Sequence, residues 1–213
     1  NPNDPRLTWL QNDLASARND PAITWIIVYM HFPFYVSGDK AMDKRDRAAI
    51  EPILKTQKVD VVFEGHQHSY ERTLPVTDNG MTIDTVSCGS APWSSCTDPK
   101  YPIYLVQGTA GAGLQPITFP SQPWSLVRIN TAFGYNKVTV NGNQLTASFI
   151  DTNGTVLDTV TITKGKDLTP PVRSNGQPTG ALPSSTTQTT ISLNTNEAAT
   201  CRYSTTSGTD YNL

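Results

Sequence analysis

Hydrophobic residues follow two different rhythms along this chain, and the change between them falls near its middle. Over residues 6–18 the apolar positions Leu7, Leu10 and Leu14 recur at helical spacing, which predicts an amphipathic helix. Ile23 to Met30 is a nearly continuous apolar run (Ile23, Trp25, Ile26, Ile27, Val28, Tyr29, Met30), as expected of a strand buried on both faces in a parallel sheet. Residues 40–57 return to helical period and charge, and Pro52 either kinks that helix or starts a second short one. Val59 to Phe63 is a second short apolar strand. Strand, helix and strand in this order make a βαβ unit with a right-handed crossover.

Beyond it the period changes to two. Tyr101 to Gln107 is apolar and is broken by Gly108, Gly111 and Gly113. Residues 125–130, 135–140, 144–150 and 155–163 alternate, with Asn141-Gly142 and Asn153-Gly154 as tight turns between the last three. The stretch 165–171, ending Thr169-Pro170-Pro171, reads as a linker between a domain at 1–164 and a Ser/Thr-rich piece at 172–213. That last piece has strand candidates near 188–194 and 199–204 but too few large apolar groups for a core of its own, so we expect the start of a β-sandwich module.

Composition narrows the function classes. Sixteen Lys and Arg against 18 Asp and Glu give a net charge of −2, without the basic footprint that nucleic acid binding needs. No apolar run reaches the ~18 residues of a membrane helix, so membrane insertion is not expected. Charged residues make up 16%, below the ~25% common in globular proteins, and Ser, Thr, Asn and Gly fill the gap. This composition hints at a secreted β-rich protein. Cys88 and Cys96 flank seven residues of a Ser/Gly/Pro/Trp-rich loop; a local disulfide would suit an exported protein, and two buried thiols are the alternative. Cys201 stands alone, either in a core or paired elsewhere, and Asn153-Gly154-Thr155 fits a glycosylation sequon as well as a turn. The opening Asn1-Pro2-Asn3-Asp4-Pro5 has neither initiator Met nor signal segment, and both ends read as cut from a longer polypeptide.

The chemistry rests on three histidines. His31 stands at the carboxyl end of the first strand, and His66 and His68 follow the second. Parallel strands of a βαβ unit bring their carboxyl ends to one sheet edge, where α/β proteins bind ligands. We therefore expect all three imidazoles to converge there, with the i, i+2 pair projecting to one side of extended backbone and Gly65 allowing the turn that aims them. A lone histidine at a strand end is usually a satisfied polar residue. Two such elements, with no other His in the chain, favour a metal-binding edge for zinc, iron or another transition metal.

Val28-Tyr29-Met30-His31 followed by Gly65-His66-Gln67-His68-Ser69-Tyr70-Glu71-Arg72 resembles the last two metal-binding blocks of the calcineurin-like metallophosphoesterases. The Tyr70-Glu71-Arg72 extension and His31-Phe32-Pro33-Phe34-Tyr35 resemble the purple acid phosphatase branch. Trp9-Leu10, Glu51-Pro52-Ile53-Leu54 and the Gly108–Gly113 segment match its context, so the resemblance covers about residues 6–163. It implies an α/β (α+β) fold: the C-terminal half of a metallophosphatase αββα sandwich, then a partial all-β sandwich module. It also implies two metal ions, Fe with Zn, Mn or Fe, which clamp a phosphate ester and generate the hydroxide that attacks phosphorus in line. On this resemblance His31 and His66 hold the divalent ion and His68 the ferric one.

The family's other ligands, an Asp, a bridging Asp with a Tyr, and an Asn followed by His, have no counterpart here; Gly38-Asp39 is the nearest imitation. The resemblance thus implies half of a phosphatase domain whose partner is its missing N-terminal half, with no meaningful activity in isolation. Tyr35, Asp39, Tyr70 and Arg72 are candidates for the substrate pocket, and Lys40 and Arg45 lie in the same region. Tyr70 can equally pack, and for Arg72 a structural ion pair with Glu71 or Glu64 is the favoured reading. The Gly108–Gly113 loop lacks the Lys-Ser/Thr ending of a P-loop and reads as a tight turn rather than a phosphate cradle. Ala199-Thr200-Cys201-Arg202-Tyr203-Ser204-Thr205 resembles strands of fibronectin-III-like or chitobiase-like modules of exported bacterial enzymes. The expected protein is a secreted or periplasmic, bacterial monoesterase. The alternatives are a diesterase or nucleotidase, and a non-catalytic surface or carbohydrate-binding protein on a degenerate phosphatase fold.

Overall fold

A computed structural model describes residues 4–89, 91–165, 172–195, 203, 204 and 206. The chain falls into two compact units, Asn1–Lys166 and Asp167–Leu213.

In the first unit α1 (Pro5–Asn19) starts where Asp4 accepts a hydrogen bond from the Arg6 N–H, with Pro5 at its first position. Its inward stripe is Leu10, Leu14 and Ala17. α2 (Lys44–Thr56) is capped by Asp43 in the same way and runs unbroken through Pro52. The carbonyl that Pro52 leaves unbonded belongs to the exposed Ala48, where water can serve it. Arg47, Ile50, Glu51 and Leu54 share the face turned to the interior, of which Glu51 and Leu54 are buried.

The strands are β1 (Ile27–Tyr29), β2 (Val61–Glu64), β3 (Tyr70–Thr73), β4 (Val76–Thr77), β5 (Thr82–Ile83), β6 (Ser95–Thr97), β7 (Ile103–Gln107), β8 (Ser125–Ile129), β9 (Gly134–Asn141), β10 (Gln144–Asp151) and β11 (Val156–Thr163). They form a five-stranded sheet, β1-β2-β7-β3-β8, and a four-stranded sheet, β6-β11-β10-β9; β4 and β5 pair by themselves. β1, β2 and β7 are parallel, whereas β3 runs antiparallel to both of its neighbours. β9, β10 and β11 form the antiparallel meander that the alternating pattern predicts, with Gly142 and Gly154 at φ +54° and +83° in its turns.

Three layers result. Val62 and Tyr104 turn toward the helices and join Leu14, Leu54, Ile26, Phe34 and Tyr35. Val61, Phe63, Ile103 and Leu105 turn the other way, onto Leu145, Phe149, Val160 and Ile162 of the second sheet. The fold is mixed α/β and mostly sheet.

Two sequence expectations shift. The first apolar run yields a strand of only three residues, because Ile26 already gives its N–H to the Asp60 side chain and Ile23 is exposed. β3 has no hydrophobic signal at all: Tyr70, Glu71, Arg72 and Thr73 are all buried in a central strand, each polar group answered by a distant partner.

The second unit contains β12 (Arg173–Gln177), which the pattern did not announce, paired antiparallel with β13 (Ser192–Thr195), which overlaps the 188–194 candidate. Most of the 199–204 candidate, Cys201 and most of the 165–171 linker lie outside the described residues. No helix among the described residues is long and apolar enough to cross a membrane.

Candidate metal centre

The parallel register of β1 and β2 carries His31 and His66 to one edge. Pairing continues beyond the strands, since Met30 N–H donates to the Phe63 carbonyl at 2.9 Å and Gly65 N–H to the His31 carbonyl at 3.0 Å. Nε2 of His31 then lies 3.0 Å from Nδ1 of His66, one ring donating to the other. Phe32 packs edge-on against both imidazoles, at 5.0 and 4.5 Å between ring centres. It is 46% exposed and forms an aromatic wall that sequence reasoning did not single out.

The turn at this edge differs from the expected one. The left-handed residue is His66 itself, at φ +62°, not Gly65. A Cβ on Gly65 would meet only ordinary contacts, the nearest being the His31 carbonyl at 3.6 Å. Gln67 N–H bonds back to the Gly65 carbonyl at 2.7 Å, closing a γ-turn about His66, and Ser69 N–H does the same to the Gln67 carbonyl at 2.8 Å. Consecutive γ-turns break the extended geometry that would send His66 and His68 to the same side. The three imidazoles do not make a single three-ligand group. His68 turns to the glycine-rich loop, where its Nδ1 lies 2.9 Å from the Gly113 carbonyl.

Among the described residues no three His, Cys, Asp or Glu side chains are placed to hold a metal ion. The histidine pair nonetheless fits as part of such a set: two imidazoles bound to one ion at about 2.0–2.1 Å bring their nitrogens roughly 3 Å apart, as here. Burial, followed by the nearby His31, Lys40 and His68, holds His66 below the ordinary histidine pKa, which favours the neutral ring that can ligate. Asp39 opposes that shift; it is exposed and lies 3.8 Å from the Lys40 ammonium.

The other pocket candidates are interior. Tyr35 is buried, donates its hydroxyl to Glu51 and accepts the Gly80 N–H at 3.2 Å; burial and Glu51 raise its pKa. Tyr70 stacks on Phe149 at 4.3 Å between the two sheets. Arg72 makes the structural ion pair that was favoured for it, but with Asp158 rather than Glu71 or Glu64. Strand alternation is the reason: Tyr70 and Arg72 face the second sheet, while Glu64 and Glu71 face the helices. There Glu64 accepts the Phe34 N–H at 2.8 Å and Glu71 accepts the Ser37 N–H and hydroxyl at 2.6 and 2.7 Å. The two buried carboxylates pin the segment after His31, and burial pushes Glu64 well above the usual carboxylate range. A glutamate closing the apolar run Val61-Val62-Phe63 was the available signal for this role.

Cys88 is joined by a disulfide to Cys96 within β6. The Gly108–Gly113 segment holds no P-loop-like helix start and packs against residues 67–69, Gly108 N–H donating to the Ser69 carbonyl at 3.1 Å.

Comparison with known proteins agrees with this architecture. A calcineurin-like phosphoesterase family model matches residues 1–70, and an iron/zinc purple acid phosphatase-like protein C model matches residues 101–159. The chain is 30% identical to acid phosphatase type 7 of Mus musculus, over 73% of this chain and 38% of that protein. It is 32% identical to purple acid phosphatase 18 of Arabidopsis thaliana, over 62% of this chain and 27% of that protein. The chain thus spans well under half the length of these relatives. Among solved structures, purple acid phosphatase PPD1 from yellow lupin (Lupinus luteus) seeds has the same fold, with a TM-score of 0.65 at 23% identity, covering 77% of this chain and 29% of the lupin chain. The chain belongs to the purple acid phosphatase-like branch of the calcineurin-like phosphoesterases.

Proposed function

We propose that this chain is part of a binuclear-metal phosphatase acting on phosphate monoesters, with His31 and His66 as ligands of a divalent ion (Zn, Mn or Fe) and His68 as a ligand of a ferric one. The observation that carries this reading is the 3.0 Å approach of Nε2 of His31 to Nδ1 of His66 at the carboxyl edge of two parallel strands. When bound, the metals supply Lewis acidity to the phosphoryl group and to the attacking water. The chain itself contributes the imidazoles, an aromatic wall at Phe32, and the charges of Asp39 and Lys40 beside them. The carboxylate and amide ligands that complete the family's set have no counterpart in this sequence, so the 213-residue chain alone does not turn over. We attribute them to the part of the domain outside this sequence, because the chain covers 38% of its Mus musculus relative and 27% of its Arabidopsis thaliana relative. The Cys88–Cys96 disulfide supports an exported protein, and residues 172–213 read as the start of an accessory β-sandwich.

Hydrolysis of an aryl phosphate by the purified chain, with and without added iron, zinc or manganese, tests the inactivity. Metal-dependent turnover well above background would overturn it. A zinc titration tests the ligand assignment: His31→Ala and His66→Ala should each weaken binding, and equal affinity in all three proteins would refute it. A non-catalytic role is the second reading, favoured by the absence of any three-ligand group among the described residues. A relative in Arabidopsis thaliana, 29% identical over 73% of this chain, bears the name probable inactive purple acid phosphatase 9.

A further inference from the structure

We infer that Gln115 is a positioning residue, and that the loop from Gly108 to Gln115 presets His68 in one tautomer so that Nε2 is its metal-binding atom. The inference deepens the metal reading above and rests on it.

A backbone carbonyl can only accept a hydrogen bond. The 2.9 Å contact between Nδ1 of His68 and the Gly113 carbonyl therefore requires the proton on Nδ1. In a neutral imidazole that leaves the lone pair on Nε2, the reverse of the form a free ring prefers in water. The ring can keep this geometry only if the backbone of His68 and that of the loop hold a fixed register, and Gln115 provides it from both sides. Its Oε1 accepts the His68 N–H at 3.0 Å, and its own N–H donates to the His68 carbonyl at 2.9 Å. One turn earlier the loop is drawn so close that a Cβ on Gly108 would lie 1.9 Å from the Gln67 carbonyl oxygen. The Gln115 carbonyl is in turn held by the Asn130 side chain at 3.3 Å. A partner that fixes the tautomer and orientation of a ligating histidine commonly changes metal affinity by ~10–100-fold.

Three histidines give three ring signals in long-range proton–nitrogen NMR spectra of the labelled 213-residue chain, and His31→Ala and His66→Ala assign them. In the metal-free protein the His68 signal should report a protonated Nδ1 and a bare Nε2. Gln115→Ala should shift that signal toward the Nε2–H form and weaken the binding of gallium(III), a diamagnetic stand-in for the ferric ion assigned to His68, read from the same resonance, by about 10-fold or more. Gln115→Glu, which keeps an acceptor for the His68 N–H, should restore the tautomer. A protonated Nε2 in the parent chain, or a tautomer unmoved in a Gln115→Ala protein with an otherwise native spectrum, would overturn the inference. Should the tautomer be as expected while gallium(III) leaves His68 unmoved, the metal reading beneath it falls instead.

Discussion

Arg72 and Asp158, 86 residues apart in sequence, form a two-pronged ion pair between the two sheets, with Nε–Oδ2 at 2.6 Å and Nη2–Oδ1 at 2.9 Å. Only 2% and 8% of the two side chains is exposed. The Tyr70 hydroxyl donates to the same Oδ2 at 2.7 Å, and a third Arg72 nitrogen donates to the Trp93 carbonyl at 3.1 Å. Arg72 is therefore an architectural tie between the five-stranded sheet and the meander.

Breaking one side of such a pair strands the other charge in the interior. Asp158→Ala should destabilise the protein by about 3–5 kcal/mol, read from chemical denaturation. A loss under about 1 kcal/mol would mean that Arg72 finds water once its partner is gone.

Asp84 carries the pH dependence of the disulfide loop. Burial works to raise its pKa, but the Ser87 hydroxyl at 2.6 Å, the Lys100 N–H at 2.9 Å and the Ser87 N–H at 3.1 Å outweigh burial, and the net shift is downward. A carboxylate whose folded pKa is depressed contributes stability above its unfolded pKa and loses it as pH falls through the folded one. Asp84→Asn should therefore cost about 1–2 kcal/mol at neutral pH, and the gap to the parent should close below roughly pH 4. Thermal melts of both proteins across pH 3–7 check it; a gap that widens on acidification would reverse the sign.

His66 adopts a backbone conformation that favours glycine, at φ +62°. Changing it to Gly should relieve about 0.5–1 kcal/mol of strain while removing a proposed zinc ligand, so stability and zinc affinity should move in opposite directions. A destabilised His66→Gly protein would show that the imidazole contributes more to folding than its strain costs.

The glycine-rich loop offers an internal contrast. Gly108→Ala drives a Cβ into the backbone of Gln67 and should cost about 3 kcal/mol or more, whereas nothing lies within 4 Å of a Cβ on Gly113 and Gly113→Ala should be neutral within about 0.5 kcal/mol. Equal effects in a denaturation series would contradict the close approach of residues 67–69 to this loop.

Hydrophobic rhythm by itself determined the helices, the parallel β1-β2 pair and the β9-β10-β11 meander, because burial on one or both faces of a regular element writes a period into the chain. It also determined that His31 and His66 share a sheet edge, since parallel strands end together. The resemblance of the histidine blocks carried the family. Only the tertiary structure decided what lies within and around those blocks. β3 is invisible as a strand because a buried Tyr-Glu-Arg-Thr has no apolar alternation; its polar groups are satisfied by Asp158, Ser37 and Ser125, which are remote in sequence. The backbone turns about His66 and His68 follow from hydrogen bonds two residues apart, and the occupation of Nδ1 of His68 by Gly113 from a loop 45 residues downstream. Local periodicity reports which face of an element is buried. It says nothing of which distant group a buried polar atom will meet, and that choice determines how these histidines are held.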